Sequence, residues 1–168
     1  MSDIIGGFEP VYQPNDSRLL ILGSFPSVKS RKVEFYYGNK QNRFWKMLCG
    51  YFREDIPTDT AGKISFLYEH KIALWDAVSS CEIEGSSDSK IRNYEIADIG
   101  RLIGLCPLRA ILLNGTTAYR IFLEKYQNVS VPYFCMPSTS PANTRYSERV
   151  WFERLDELYK GEIKNDRL

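Results

Sequence analysis

The fold is decided by a stretch near the start of the chain, RLLILGSFPS at residues 18–27. Its apolar run, Leu19–Leu22, does not alternate with polar residues, which is typical of a strand buried on both faces of a parallel sheet. A glycine, two serines and a proline follow the run directly, and they predict a tight polar turn at the end of the strand.

Three more apolar runs repeat this pattern: Ile72–Trp75, Ala110–Leu113 and Val131–Met136. Helix-like stretches separate the runs and follow the last one, at about 42–52, 60–70, 94–105, 115–126 and 147–160. Strands that alternate with helices predict an α/β fold, a three-layer α/β/α sandwich around a short, mainly parallel four-stranded sheet. We expect one domain over residues 1–168, with peripheral tails at 1–17 and 161–168.

Composition excludes several classes of protein. The chain of 168 residues is 43% hydrophobic and 14% aromatic, which is too apolar for a disordered protein. Its 22 Lys and Arg residues balance 21 Asp and Glu residues, so a highly basic packaging protein is excluded. No apolar run approaches the roughly 20 residues that cross a bilayer, and the N-terminus lacks a signal-peptide pattern. We expect a cytoplasmic protein without membrane contact.

Cysteine and histidine usage argues against a metal centre. The four cysteines form no CxxC pair, so a zinc ribbon or a compact iron–sulfur site is not supported. His70 is the only histidine and directly precedes a predicted strand, at the edge of the sheet where ligands do not bind. We therefore expect a structural histidine, no metal and no serine–histidine triad.

The predicted binding edge is the one where the parallel strands end. Short polar loops follow all four strands, at 23–27, 76–80, 114–117 and 137–143. The first loop matches neither the phosphate-binding GxxxxGK[ST] pattern nor the hydrolase GxSxG pattern. It leaves a turn whose backbone N–H groups and hydroxyls, those of Ser24 and Ser27, are free to bind a ligand.

A cationic segment adjoins this edge. Between Phe25 and Lys46 six basic residues face one acid, a local charge of +5, whereas residues 47–90 hold four bases and eight acids. Bases interleaved with Phe and Tyr are typical of a nucleic-acid surface, and a solvated basic loop is the alternative. The last loop, PSTSPANTRYS at 137–147, suits a phosphodiester backbone, with Arg145 as a further contact or a wedge. A helix cap by Asn143 or Ser147 is the plainer interpretation.

Four motifs in order resemble a known family: GSFPS (23–27), YYGNKQNRFW (36–45), LWDAVSSC (74–81) with GSSDSKIRN (85–93), and STSPAN (138–143). Together they resemble the uracil-DNA glycosylase superfamily, most closely its DNA-deoxyinosine (hypoxanthine-DNA) glycosylase branch, over about Arg18 to Tyr159. The resemblance implies a monomeric, monofunctional enzyme of base excision repair that needs no cofactor. Such an enzyme flips a deaminated base out of DNA and hydrolyses its N-glycosidic bond.

The resemblance also implies roles for individual residues. Asn42 corresponds to the residue that positions the attacking water, with Asn39 as the alternative, and Phe25 to the aromatic that stacks on the flipped base. Asp76 is a candidate for reading the base or for assisting as a base through the water. The candidate residues are, for catalysis, Asn42 and Asp76; for base binding, Gly23, Phe25, Tyr37, Asp88 and Asn114; and for the DNA backbone, Ser24, Ser27, Lys29, Arg43, Ser138, Ser140, Asn143 and Arg145.

Two departures from the uracil-specific pattern bear on the substrate. The first loop has no water-activating aspartate, and Ser138–Pro141 stands where a catalytic His-Ser-Pro occurs. Without that histidine a departing uracil anion lacks a donor, so deaminated purines are favoured over uracil as substrates. The order of preference among hypoxanthine, xanthine and uracil is left open. A non-catalytic nucleic-acid-binding module and a small-molecule nucleoside hydrolase remain as alternatives to a DNA glycosylase.

Overall fold

The computed structural model describes residues 3–163, and of residues 161–163 it describes only the backbone. Its strands are β1 Ile4–Gly6, β2 Leu19–Gly23, β3 Ile72–Asp76, β4 Val78–Glu82, β5 Arg92–Ile96, β6 Ala110–Asn114 and β7 Tyr133–Met136. Its α-helices are α1 Val28–Val33, α2 Phe44–Tyr51, α3 Thr60–Glu69, α4 Ile99–Leu105, α5 Thr116–Tyr126 and α6 Glu148–Asp156. A short 3-10 helix spans Asp88–Lys90, and a π-helical segment, Glu157–Ile163, follows α6.

The predicted fold class is confirmed. Four parallel strands form a sheet in the order β3-β2-β6-β7, and helices flank it. Every residue of β2, β3 and β6 is buried, as their unbroken apolar runs require. Large side chains from the helices, among them Phe44, Phe122 and Trp151, complete the core.

A second, antiparallel sheet was not foreseen. It has the order β1-β4-β5, and β5 occupies the first part of the helix predicted at 94–105. That prediction was wrong because residues 92–96 pair with β4, a long-range contact that local periodicity cannot reveal. The helix begins only at Ile99, where the Asp98 side chain accepts a hydrogen bond from the Arg101 N–H at 3.3 Å.

Part of the expected N-terminal tail lies within the fold. Ile4–Gly6 pairs with β4, and Val11 forms a bridge with Leu74 of the central sheet. Of the expected C-terminal tail, 161–163 continue the π-helical segment, and 164–168 lie outside the described residues, as do residues 1 and 2. No helix of the described part is long and apolar enough to cross a membrane.

His70 lies shortly before β3, at the opposite edge of the sheet from the carboxyl ends of the parallel strands, and it is packed among aromatic side chains. Its ring stacks on Phe52 with centroids 3.7 Å apart, and its Nε2 contacts the Glu54 carboxylate. The Tyr159 hydroxyl donates to its backbone carbonyl at 2.7 Å. These contacts make His70 part of the packing between α3 and the C-terminal helical segment.

The central strand β6 provides a direct test of the core. Leu112 is fully buried, whereas Leu105 at the end of α4 is 39% exposed. Leu112→Ala should lower the free energy of unfolding by about 2–5 kcal/mol, because it removes buried methyl groups and leaves a cavity. The matched change Leu105→Ala should cost about 1 kcal/mol or less. Urea denaturation of both variants measures the difference, and equal losses would contradict the described core.

Candidate active site

Two polar side chains, those of Asp76 and Tyr37, lie close to Gly23 at the end of β2. Gly23 pairs in register with Asp76. A Cβ atom on Gly23 would lie 2.6 Å from Asp76 Oδ1 and 3.0 Å from Tyr37 Oη. The first distance is shorter than real Cβ contacts and the second is at their lower limit, so the close approach of these two side chains favours glycine at this position.

Asn114, at the end of the neighbouring strand β6, connects this point to the last loop. Its Oδ1 accepts from the Thr139 N–H at 3.0 Å, and its Nδ2 donates to Thr139 Oγ1 at 2.9 Å and to Tyr37 Oη at 3.2 Å. Asn114 was predicted to bind the base, and its amide is directed to Thr139 and Tyr37. It fixes the walls of the site in place.

Sequence reasoning missed Thr139 as a site residue. It lies within the predicted loop, in which the hydroxyls of its neighbours Ser138 and Ser140 were predicted to contact the DNA backbone. Thr139 is only 1% exposed, and its backbone and side chain both bind Asn114. Nothing in the local pattern separates it from the flanking serines, because its partner lies 25 positions away.

Tyr37 has an unusual backbone conformation that its surroundings hold in place. Its φ of 54° lies in the left-handed region of backbone conformation, which residues other than glycine rarely adopt. The ring stacks on Phe44 with centroids 3.9 Å apart. Burial, with the nearby Asp76 charge, raises the pKa of Tyr37 well above its ordinary value. The hydroxyl therefore stays neutral, and Phe44 and Asn114 fix its position.

Asp76 is the one carboxyl group in this cluster. It is 4% exposed, and its Oδ2 has no hydrogen-bond partner among the described residues. Burial raises the pKa of Asp76 to about 7, and the nearby charge of Asp88 adds to the effect. The group can therefore be protonated or ionised near neutral pH, and it can donate or only accept accordingly.

The segment 85–90 lies against the first loop. The Ser24 hydroxyl donates to Asp88 Oδ1 at 2.6 Å, and the Val28 N–H donates to Ser86 Oγ at 2.8 Å. Ser27 caps α1 by accepting from the Ser30 N–H at 3.1 Å. Ser24, Ser27 and Asp88 thus all make hydrogen bonds that shape the rim.

Phe25 follows Gly23 and Ser24 and packs into a second apolar cluster. This cluster consists of Phe25, Ala77, Val78, Cys81, Ile83, Ile91 and Ile121. The ring is 9% exposed, and the Arg31 guanidinium lies 5.8 Å from its centroid. A flipped base could stack on it only over the small part of the ring that protein atoms leave open.

Asn42 lies at the start of α2 and adjoins the Thr139 loop through the next residue. Its Oδ1 accepts from the Phe44 N–H at 3.0 Å, and the N–H of Arg43 donates to the Thr139 carbonyl at 3.1 Å. No partner for its Nδ2 is found among residues 3–163. The alternative, Asn39, accepts from the Gln41 N–H at 3.0 Å within its own turn.

The loop 138–143 is held by its own polar side chains. Asn143 Nδ2 donates to the Ser138 carbonyl at 2.8 Å, and Ser140 Oγ accepts from the Ala142 N–H at 3.2 Å. The guanidinium of Arg43 donates to carbonyls of the same loop. Lys29 and Arg145, the other predicted backbone contacts, are exposed.

Potential metal ligands cluster elsewhere. Within the described part of the chain, one group of three such residues lies close enough together to share an ion: Glu54, Glu69 and His70. It adjoins the start of β3, at the opposite edge of the sheet from Asp76. The cluster around Asp76 contains one carboxyl group, one phenol and one amide, which are suited to hydrogen bonding a neutral ligand.

Comparisons with known proteins agree on one family. The model of the Uracil DNA glycosylase superfamily matches residues 9–159. A protein from Methanosarcina acetivorans named hypoxanthine DNA glycosylase is 37% identical over 145 residues, 84% of this chain and 90% of the relative. One of the same name from Methanosarcina barkeri is 36% identical over 111 residues, 65% of this chain and 70% of the relative.

A solved structure is also similar to this chain. It is a solution NMR structure from Methanosarcina acetivorans, described as a candidate uracil DNA glycosylase. The TM-score is 0.79 at 34% identity, over 90% of this chain and 96% of the other. The similarity thus extends over most of both chains.

The buried carboxyl of Asp76 makes stability depend on pH. Its folded pKa of about 7 lies above its ordinary value of 3.8, so the native state holds the extra proton. Its contribution to stability is therefore fully present below about pH 4 and is lost as the pH rises through about 7. Asp76→Asn should raise the melting temperature, and the gain over the parent should be larger at about pH 8 than at about pH 5.

Thermal melts of the parent and of Asp76→Asn between about pH 5 and about pH 8 measure the difference in stability, which should amount to a few kcal/mol at the higher pH. Asp88→Asn is the matched control, because removing the neighbouring charge should move the transition to lower pH without abolishing it. A difference between Asp76→Asn and parent that stays constant with pH would contradict the assigned pKa.

Proposed function

The chain belongs to the uracil DNA glycosylase superfamily, and from this we propose that it removes hypoxanthine from DNA by hydrolysing the N-glycosidic bond of deoxyinosine. Membership makes it a DNA N-glycosylase of DNA repair. The names of its two Methanosarcina relatives support the substrate. The observation that carries the proposal is the buried Asp76 carboxyl at the end of β3, whose Oδ2 has no hydrogen-bond partner in the part of the chain that the structure describes.

Asp76 is suited to reading the edge of a purine. Hypoxanthine presents an N1–H donor beside its O6 acceptor, whereas adenine presents an acceptor at N1. An ionised carboxylate accepts only, so it binds the N1–H of hypoxanthine and repels N1 of adenine. A buried group left unpaired by the wrong base costs far more than a lost surface contact. Ionised Asp76 would thus favour the deaminated base.

The attacking water is assigned to Asn42. The Phe44 N–H donates a hydrogen bond to one lone pair of Asn42 Oδ1. This bond orients the amide and leaves the second lone pair to accept from a water. A neutral amide cannot deprotonate that water, so the rate acceleration must come from positioning and electrostatics. Hydrolysis builds positive charge on the sugar and negative charge on the base. A slow enzyme is the expected consequence.

The leaving base receives little help from the protein. In the uracil-specific pattern a histidine follows the last strand, and here Ser138–Pro141 takes that place. The described hydrogen bonds of Asn114 Nδ2 go to Thr139 and Tyr37. A departing uracil anion would lack a strong donor at this point, so uracil and xanthine are proposed as slower substrates.

Exposed lysines form the proposed DNA surface. Four of the six bases in the cationic segment are exposed: Lys29, Lys32, Lys40 and Lys46. In the sequence they lie on both sides of Tyr37 and Asn42. Lysines free in solvent suit phosphate groups, which need charge at the right distance rather than fixed geometry. The surface would hold DNA while the deoxynucleotide is flipped into the site, at a cost of a few kcal/mol.

A panel of duplex oligonucleotides tests the proposal. Each carries one hypoxanthine, xanthine, uracil or adenine, and incubation with the protein is followed by alkaline cleavage. Hypoxanthine should give the fastest cleavage and adenine none, and the hypoxanthine rate should be higher at about pH 8 than at about pH 6, because Asp76 ionises in between. Asp76→Asn should lose this pH dependence.

A DNA-binding assay and an assay on free deoxyinosine, run beside the panel, distinguish the alternatives. DNA binding without an alkali-labile site on any base would mean a non-catalytic binding module. Release of the base from free deoxyinosine, insensitive to salt, would mean a small-molecule nucleoside hydrolase. Either outcome would contradict the proposed function.

Asn42 and Asn39 are separated by a pair of variants. Asn42→Ser keeps an oxygen that can cap α2 but loses the reach of the amide, so the single-turnover rate should fall about 10²-fold or more while duplex binding is retained. Asn39→Ala loses one turn hydrogen bond and should stay within about threefold of the parent. The opposite ranking would transfer the water-positioning role to Asn39.

A further inference from the structure

The two arginines of the cationic segment differ from its lysines. Both arginines are half-buried, and each donates to backbone carbonyls of a distant segment. The Arg31 Nη2 donates to the Gly85 carbonyl at 2.9 Å. The Arg43 Nη1 donates to the carbonyls of Ser140 at 3.2 Å and Asn143 at 3.1 Å. The segment thus combines exposed lysines with arginines that are engaged inside the protein.

Arg43 makes four contacts with the last loop. Besides its two side-chain hydrogen bonds, its backbone N–H donates to the Thr139 carbonyl at 3.1 Å. Its guanidinium also lies 4.7 Å from the ring centroid of Tyr146, within reach of a cation–π interaction. These contacts hold the side chain on the loop, although the sequence had placed it on the DNA backbone.

The two carbonyls that Arg43 binds belong to one turn. Ser140–Asn143 is closed by a hydrogen bond from the Asn143 N–H to the Ser140 carbonyl at 3.0 Å, and it carries Pro141 at its second position, where the turn favours proline. One nitrogen of the planar guanidinium, Nη1, donates to both ends of the turn at once. A lysine ammonium has no such fixed geometry.

We propose that Arg43 is a positioning residue, which fixes the 138–143 loop against the start of α2 and so sets the distance between that loop and Asn42. The proposal rests on the proposed function, because it assigns Asn42 to the water. The loop is fixed at its other end by the bonds between Thr139 and Asn114. Without the Arg43 side chain the loop would keep the bonds of Thr139, to Asn114 and to the backbone N–H of residue 43, and would lose the bonds that hold its Ser140 and Asn143 carbonyls.

The expected effect is kinetic. A misplacement of about 1 Å between a positioned water and the bond it attacks can cost about 10²-fold in rate. Loss of the arginine should therefore slow the chemical step rather than weaken DNA binding. A phosphate contact would behave in the opposite way, since its loss lowers affinity and reduces the salt slope of binding by about 0.9.

The test compares Arg43→Ala and Arg43→Lys with the parent in the full chain. Single-turnover rates are measured at saturating protein on a duplex with one hypoxanthine, and the salt slope is measured on undamaged duplex. Both variants should lose about tenfold or more in rate, with salt slopes close to that of the parent. Guanidinium chloride at millimolar concentration should restore part of the Arg43→Ala rate, relative to equal sodium chloride.

Two controls calibrate the measurement. Arg149→Ala removes the same charge from an exposed position on α6, where the side chain forms an ion pair with Glu153. Its rate should equal that of the parent, without a response to guanidinium. Lys29→Ala removes a proposed phosphate contact and should lower the salt slope by about 0.9.

Several results would overturn the proposal. A salt slope reduced by about 0.9 in Arg43→Ala, with Arg43→Lys at the parental slope and rate, would make Arg43 a phosphate contact. Parental rates in both variants would remove any role. If Arg43→Ala does not fold, Arg43→Lys decides alone, because it keeps the charge and loses the planar guanidinium whose Nη1 binds both carbonyls.

The outcome is separable from failure of the proposed function. If the parent does not act on the hypoxanthine duplex, the proposed function is wrong, whatever the variants do. Amide hydrogen exchange over residues 138–146 still tests whether the Arg43 side chain holds the loop in place. It should rise in Arg43→Ala and stay unchanged in Arg149→Ala, and unchanged exchange in both would overturn the positioning role.

Discussion

The paired hydrogen bonds between Asn114 and Thr139 are the contact on which the rest of the site depends. They join the end of a central strand to a loop that begins after the neighbouring strand, and both partners are buried. A third bond from the same amide reaches Tyr37, so one side chain orients two walls of the site. Buried amides keep such geometry because an unmade bond there costs the full desolvation of the group.

The polar groups around this contact have separate tasks. Asn114, Thr139 and Tyr37 satisfy one another and form a fixed frame. Asp76 lies beside that frame, and its Oδ2 has no partner within residues 3–163. This arrangement is expected of a group that binds a ligand. Because Gly23 has no Cβ, Asp76 and Tyr37 of the frame can both lie close to it. The proposed catalytic residue, Asn42, is connected to the frame by the backbone of the next residue.

The sequence predicted the central sheet and the edge that carries the site, because unbroken apolar runs and the polar residues after them are local signals. It did not predict β5, whose residues become a strand only by pairing with β4. It named Gly23, Tyr37, Asp76 and Asn114, and the structure brings these together. Thr139 was missed, and Arg43 received a surface role, because their partners lie 25 and about 100 positions away. Only the folded chain distinguishes an arginine that binds carbonyls from a lysine free in solvent.

The central claim is that the protein releases a free base from DNA, at the site formed by the side chains at the carboxyl ends of its parallel strands. Direct analysis of the products by mass spectrometry tests it most closely, with a duplex that carries a single deoxyinosine. The account predicts free hypoxanthine in an amount equal to the abasic sites formed, with both DNA strands otherwise intact. Release of deoxyinosine or its phosphate, or no release of any base from DNA that the protein binds, would contradict it.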